Sequence, residues 1–347
     1  MKRFITILLI GMILIAFVIS PIATVVAYEL IFDKRYETKN YLQYTVEDFD
    51  GLMMERSDFE SDGLCLAGYK YSKKCENIKG LVIVAHGLGG GGHNAYLPFI
   101  DYFTSNGYYV FSYDARGNDN SEGTVSGLPM GIISLDSAID HAKSITEYQG
   151  LPIALFGHSW GGYSVGNVLN IHPEIKAAVI IAGFNESEDM LKYQGEKYAG
   201  DKLGLLLPYL KIYERFKFGT KFADISAIDG FANTNASIMI VHSMDDATVP
   251  TRFGYDKFYE EYKDNERFKF ILYEDRGHTY LMYSAEALEY SEKLYAEYEK
   301  YLTTIGKNDT NEVKAEFMSA HLDKEKCYEP NSELMAEIIS LFDEYCM

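Results

Sequence analysis

Short apolar runs rich in β-branched residues alternate along the chain with longer stretches in which apolar positions recur every three or four residues. The short runs are Leu81–Ala85, Tyr108–Tyr113, Ile153–Phe156, Ala177–Ala182, Ile238–Val241 and Phe268–Tyr273. Apolar continuity on both faces is what a strand covered from both sides requires, as in a parallel sheet. An earlier strand is expected from Leu64 to Tyr71, ended by a turn at Lys73-Lys74. The helical period predicts helices over Tyr96–Phe103, Ile132–Thr146, Phe253–Tyr262 and Ser284–Leu302, and one opening near Gly161. This alternation implies an α/β fold, a mostly parallel sheet with crossover helices on both faces.

Two stretches break the rhythm. Residues 183–235 separate consecutive strands and are too long for one crossover, so a helical insertion is expected there. Its segment Leu203-Gly204-Leu205-Leu206-Leu207-Pro208-Tyr209-Leu210 is too apolar to be left in water. It must cover either the mouth of a site or an edge of the sheet. Residues 306–347 read as an acidic tail with two amphipathic helical patterns.

The N-terminus carries a different pattern. Lys2 and Arg3 precede an uncharged apolar stretch from Phe4 to Ala27. About 20 residues of helix cross a hydrocarbon layer about 30 Å thick, so this run is long enough. Residues 1–27 are therefore expected to be a transmembrane anchor, with a cleaved signal peptide ending at Val25-Val26-Ala27 as the alternative. The leading cations place the N-terminus inside and the large domain outside the cytoplasm. Residues 28–54 follow as a juxtamembrane connector, and residues 55–305 as the main domain.

Acidic residues exceed basic ones, 51 to 32, for a net charge of −19. Such a surface repels phosphate backbones, which excludes nucleic acid as a partner. The cysteines Cys65, Cys75, Cys327 and Cys346 form no CxxC pair, so a structural zinc site is not expected. Cys65–Cys75 and Cys327–Cys346 are candidate disulfides outside the cell; four separate thiols are the other reading.

The chemistry concentrates at Gly157-His158-Ser159-Trp160-Gly161, a G-x-S-x-G placed after a buried strand and before a helix. The flanking glycines leave room for a strained turn that lifts the serine out of the sheet. A serine hydroxyl needs a base at neutral pH, and His278, just after the last strand, is the candidate. The other histidines sit in the turn itself, in the glycine-rich loop, on helices, or, as His242, at a strand end beside the acid loop. The base needs an orienting carboxylate. Asp246, in Asp246-Ala247-Thr248-Val249-Pro250, is preferred, with Asp245 as the fallback. A tetrahedral intermediate would need backbone donors, assigned to the amides of Trp160 and of Leu88 in His86-Gly87-Leu88-Gly89-Gly90. That glycine-rich loop lacks the frame of a phosphate-binding loop.

Together with Asp114-Ala115-Arg116-Gly117 and Ser121-Glu122-Gly123, these motifs resemble the α/β-hydrolase superfamily over residues 55–305. Within it the chain is most similar to the lysophospholipase, monoacylglycerol lipase and serine aminopeptidase-like branch. The resemblance implies the α/β-hydrolase fold: an eight-stranded, mostly parallel sheet, with a cap insertion at 183–235. It further implies catalysis by Ser159, Asp246 and His278 with no cofactor and no metal. Asp119 stands where the family's D-x-R-G-x-G-x-S has glycine, so a different loop backbone is expected there. The expected substrate is a small-molecule or lipid ester, with the membrane as the other partner. A peptidase holding a substrate amine on Glu186, Glu188 or Asp189 is the runner-up, and a non-catalytic binding protein the rival of another class.

Overall fold

The computed structural model describes residues 2–89, 91–199, 206–306 and 308–346. Helix α1 (Lys2–Leu14) continues through a π-helical turn at Ile15–Ile19 into α2 (Ser20–Phe32). Arg3–Phe32 is thus one helix long and apolar enough to cross a membrane. The chain after it is laid along the body of the protein as a strap. The Phe32 and Lys34 carbonyls accept from the amides of Ser126 and Val125, and Tyr36 exchanges backbone bonds with Gly117 and Asp119.

The main sheet begins with β1 (Met53–Arg56), which pairs antiparallel with β4 (Gly68–Ser72). β1 buries none of its side chains, which is why no apolar pattern announces it. The strand expected over Leu64–Tyr71 is two. Ala67 breaks it, giving its amide to the Ser121 hydroxyl, and β3 (Leu64–Leu66) turns back on β2 (Phe59–Ser61) as a hairpin. Asp62 and Gly63 in the turn have φ of 50° and 73°, the left-handed pair that a two-residue hairpin requires.

The remaining elements alternate as expected: β5 (Gly80–Ala85), α3 (Leu97–Ser105), β6 (Tyr108–Tyr113), α4 (Met130–Ser144), β7 (Ile153–His158), α5 (Trp160–Val168) and β8 (Ala177–Ile181). The insertion supplies α6 (Ser187–Ala199), α7 (Leu207–Phe218), α8 (Thr220–Ala223) and α9 (Ala227–Asn233). Leu203, Gly204 and Leu205 lie outside the described residues. Then come β9 (Ser237–Ser243), α10 (Tyr255–Tyr262), β10 (Phe268–Tyr273) and α11 (Ala285–Ile305). The tail holds α12 (Asn311–His321), α13 (Lys324–Cys327) and α14 (Ser332–Cys346). The eight strands run in the order β1-β4-β6-β5-β7-β8-β9-β10, parallel from β6 to β10.

Alternate residues of each central strand enter opposite layers. Leu81, Ile83 and Ala85 pack with α4, α5, α9 and α10, through Ile132, Val165, Phe231 and Phe258. Val82 and Val84 pack with α3 and with Leu334, Met335, Ile338 and Phe342 of α14. The last helix is therefore part of the second covering layer, not an appendage. Its apolar stripe closes the sheet, and at its edges Asp343 pairs with Lys79 and Glu337 with Lys269. Cys65, Cys75 and Cys327 carry free thiols, and the side chain of Cys346 lies outside the described ones.

The Phe342 ring is fully buried, 5.8 Å from that of Phe103 and 5.9 Å from that of Tyr108. Phe342→Ala is expected to lower unfolding free energy by about 3–5 kcal/mol, read from urea titration of the detergent-solubilised chain. A change under about 1 kcal/mol would mean that the tail is dispensable for the core.

Candidate active site

Ser159 stands between the end of β7 and the start of α5 with φ of 57°, a left-handed conformation uncommon for a side-chain-bearing residue. Its amide donates to the Ile181 carbonyl at 2.8 Å. The crowding is severe. A Cβ on Gly161 would meet the Ala85 carbonyl oxygen at 2.0 Å, and one on Gly157 would meet the Gly161 carbonyl oxygen at 2.4 Å. Both positions need glycine, and the turn is wedged against the C-terminal end of β5.

That end of the sheet collects the other groups. The Ser159 hydroxyl lies 2.8 Å from His278 Nε2, and His278 Nδ1 lies 2.7 Å from Asp246 Oδ2. The second oxygen of Asp246 accepts from the amides of Thr248 and Val249, at 2.8 and 2.9 Å. Burial opposes ionisation of Asp246. The imidazoles of His242 and His278, with the Val249 amide, outweigh it and hold the carboxyl well below the usual range. His242 Nε2 is 3.4 Å from Asp246 but 2.8 Å from the Val249 carbonyl, so its proton goes to the latter and it braces the acid loop. The neighbouring aspartates differ in direction, and Asp246 is the one that faces the imidazole. Exposed Asp245 turns away from the imidazole and accepts from the Ser243 hydroxyl and the Gly277 amide, which fixes the loop just before His278.

His158 does more than fill the turn. Its Nε2 donates to the His278 carbonyl at 2.9 Å, and its Nδ1 accepts from the Tyr96 hydroxyl at 3.1 Å. That hydroxyl in turn accepts from the Gly87 amide. One hydrogen-bonded chain thus joins the glycine-rich loop to the loop of the base. Burial, and the nearby His278, push the His158 pKa down to about 3, so the ring is neutral. Sequence reading set this residue aside; its position within the serine turn was the only available signal.

Leu88 follows Gly87 in the same loop, and Trp160 opens α5, where helix geometry leaves the amide without an intrahelical acceptor. The Trp160 ring donates to the Leu128 carbonyl, which fixes the start of the helix. Gly90 lies outside the described residues. Asp119 has φ of 36°, in the left-handed region that glycine favours. Its carboxylate accepts from the Thr38 amide and hydroxyl at 2.6 Å and from the Gly92 amide at 3.0 Å, tying strap to glycine-rich loop. Asp136, Asp140 and His172 lie close enough together to share an ion. Protein cations fill that role: Lys143 Nζ is 2.9 Å from His172 Nδ1, and Lys221 pairs with Asp136.

Comparison with known proteins agrees with this fold. The family described as serine aminopeptidase, S33, matches residues 76–234. The quorum-quenching protein AidA of Acinetobacter baumannii is 26% identical over 164 residues, covering 43% of this chain and 53% of the relative. The chain thus spans about half the length of that curated relative. The esterase Pf2001 of Pyrococcus furiosus superposes with a TM-score of 0.55 over 78% of this chain and 98% of its own, at 17% identity. At that identity the likeness is one of fold.

Asp246→Asn is expected to lower kcat by about four orders of magnitude on an activated ester, and Asp245→Asn by far less. The reverse order would transfer the orienting role to Asp245. His158 yields a pH signature. Its folded pKa lies below that of an exposed imidazole, so the unfolded chain binds the extra proton. The associated stability is present above pH ~6.5 and drains as the pH falls towards 3, about 2 kcal/mol of it by pH 5. Urea titrations at pH 7 and pH 5 should show that much less acid destabilisation in His158→Gln than in the wild type. Equal losses would place the pH dependence elsewhere.

Proposed function

Because the chain has the α/β-hydrolase fold, we propose that it is a serine hydrolase cleaving carboxylic esters, acyl or lipid-like, through an acyl-enzyme on Ser159. The observation that carries the proposal is the unbroken line from the Ser159 hydroxyl through His278 to buried Asp246, at 2.8 and 2.7 Å. In this mechanism His278 Nε2 takes the hydroxyl proton as the Ser159 oxygen attacks the ester carbonyl. The imidazolium formed faces the Asp246 carboxylate, and the Leu88 and Trp160 amides receive the oxyanion. Collapse expels the alcohol, which takes its proton from His278. A water, deprotonated by the same nitrogen, then attacks the acyl-enzyme, and its collapse returns Ser159 and releases the acid.

The insertion supports an acyl substrate. Tyr193, Gln194 and Lys197 of α6 donate to the carbonyls of Ala247 and Thr248, so this helix lies on the acid loop rather than at a distant sheet edge. Leu206 and Leu210 would then help set acyl-chain preference. The acids considered for a peptidase are engaged: Lys257 reaches Asp189 and Glu186, and Lys211 binds Glu188. This favours the ester over the N-terminal amine. The helix over Arg3–Phe32 is read as a retained single-pass anchor, with the domain outside the cytoplasm.

Purified full-length protein assayed on acyl esters of graded chain length and on aminoacyl amides tests the reading. Esters are expected to be cleaved at least tenfold more efficiently, and Ser159→Ala to lose about six orders of magnitude in kcat. Turnover of Ser159→Ala at a tenth of the wild-type rate would overturn the nucleophile assignment; preference for the amides would overturn the ester.

A further inference from the structure

Helix α2 has two faces with different neighbours. Thr24, Tyr28 and Phe32, four residues apart, are buried against the protein, while Ile22, Val26 and Leu30 on the opposite face are exposed. The covering element is α7 of the insertion. The Tyr28 hydroxyl donates to Glu214 at 2.8 Å, the Tyr213 hydroxyl donates to Glu29 at 2.6 Å, and Lys217 pairs with Glu29. Tyr28 and Phe218 also close on Gly127, whose neighbour Leu128 holds the Trp160 ring beside Ser159.

Counting from Phe4, about 20 residues of helix exhaust the hydrocarbon layer, which ends close to Thr24. Thr24 is also where burial against the protein begins. Tyr28 stands about 6 Å further along the axis, within the headgroup layer. The helix bonded to it must therefore lie in that layer too. α7 is built for such a place. Ile212 and Phe216, one turn apart, are 61% and 87% exposed. Its cations are already spent inside the protein, Lys211 on Glu188 and Arg215 on Asp224.

We propose that α7 is seated in the outer leaflet's interface, with Ile212 and Phe216 inserted among the acyl chains. The proposal rests on the reading of residues 3–32 as a retained anchor. The occupant of the exposed face is a lipid surface, held by apolar burial rather than by anionic headgroups, since the ion pairs leave those cations no free partner to seek. The anchor then does more than tether the domain. It presents the insertion, whose helix α6 lies on the acid loop, to esters dissolved in the bilayer.

The test uses the full chain reconstituted in phosphatidylcholine vesicles with bromine-labelled acyl chains. Buried Trp160 gives a common background, to which Phe216→Trp, Phe17→Trp within the span and Tyr295→Trp on helix α11 each add one indole. Quenching of the added emission at 216 is expected within a factor of about two of that at 17, with none at 295. Quenching at 17 without quenching at 216 overturns the seating of α7 and leaves the anchor standing. Quenching at neither position overturns the anchor reading, and the proposal with it. Quenching at 216 that requires phosphatidylglycerol would show attraction by charge and overturn the apolar seating.

Discussion

Everything at the site depends on one strained turn. A serine held at φ of 57° costs about 1–3 kcal/mol, and no local sequence preference supplies it. Packing does. The turn is pinned by the Ile181 carbonyl on one side and by the carbonyls of Ala85 and His86 on the other, at distances that admit no Cβ on Gly161. Three adjacent parallel strands, β5, β7 and β8, therefore act as a rigid seat. The same geometry that lifts the hydroxyl also starts α5 and frees the Trp160 amide at its tip.

The electrostatics follow from that seat. Parallel strands bring successive loops to one end of the sheet, so groups far apart in sequence meet within hydrogen-bond reach. Of the groups gathered around His278, Asp246 is the anion, stabilised by two amides, while His158 behind it is kept neutral by burial. The imidazole is thus held by its backbone from one side and by its ring from the other. A positive charge formed on it in the proposed mechanism would meet a fixed carboxylate and no competing cation from His158.

The N-terminal segment is coupled to this arrangement at two heights. α2 is bonded to α7 through Glu214 and Glu29, and the strap after it reaches the glycine-rich loop through Thr38, Asp119 and Gly92. Burial pushes the Glu214 carboxyl up, eased by hydrogen bonds from Ser187 and Tyr28. These are buried polar contacts between sequence-distant parts, which fix one docking geometry rather than a loose tether.

The hydrophobic pattern by itself determined the strand–helix alternation, because strands buried on both faces must be apolar at every position. It also pointed to Ser159 and His278 as candidates, because a strained turn needs glycines and a weak nucleophile needs a base. It could not show β1, which buries nothing, nor the break at Ala67, which a hydroxyl 54 residues away creates. The role of α14 was hidden for a related reason: an amphipathic stripe states that something is covered, not what. Which aspartate faces His278, the bracing of His278 by His158 and the contacts of Asp119 were visible only in the tertiary structure. Each depends on which way a short polar side chain points, and that direction is set by partners which only folding brings near.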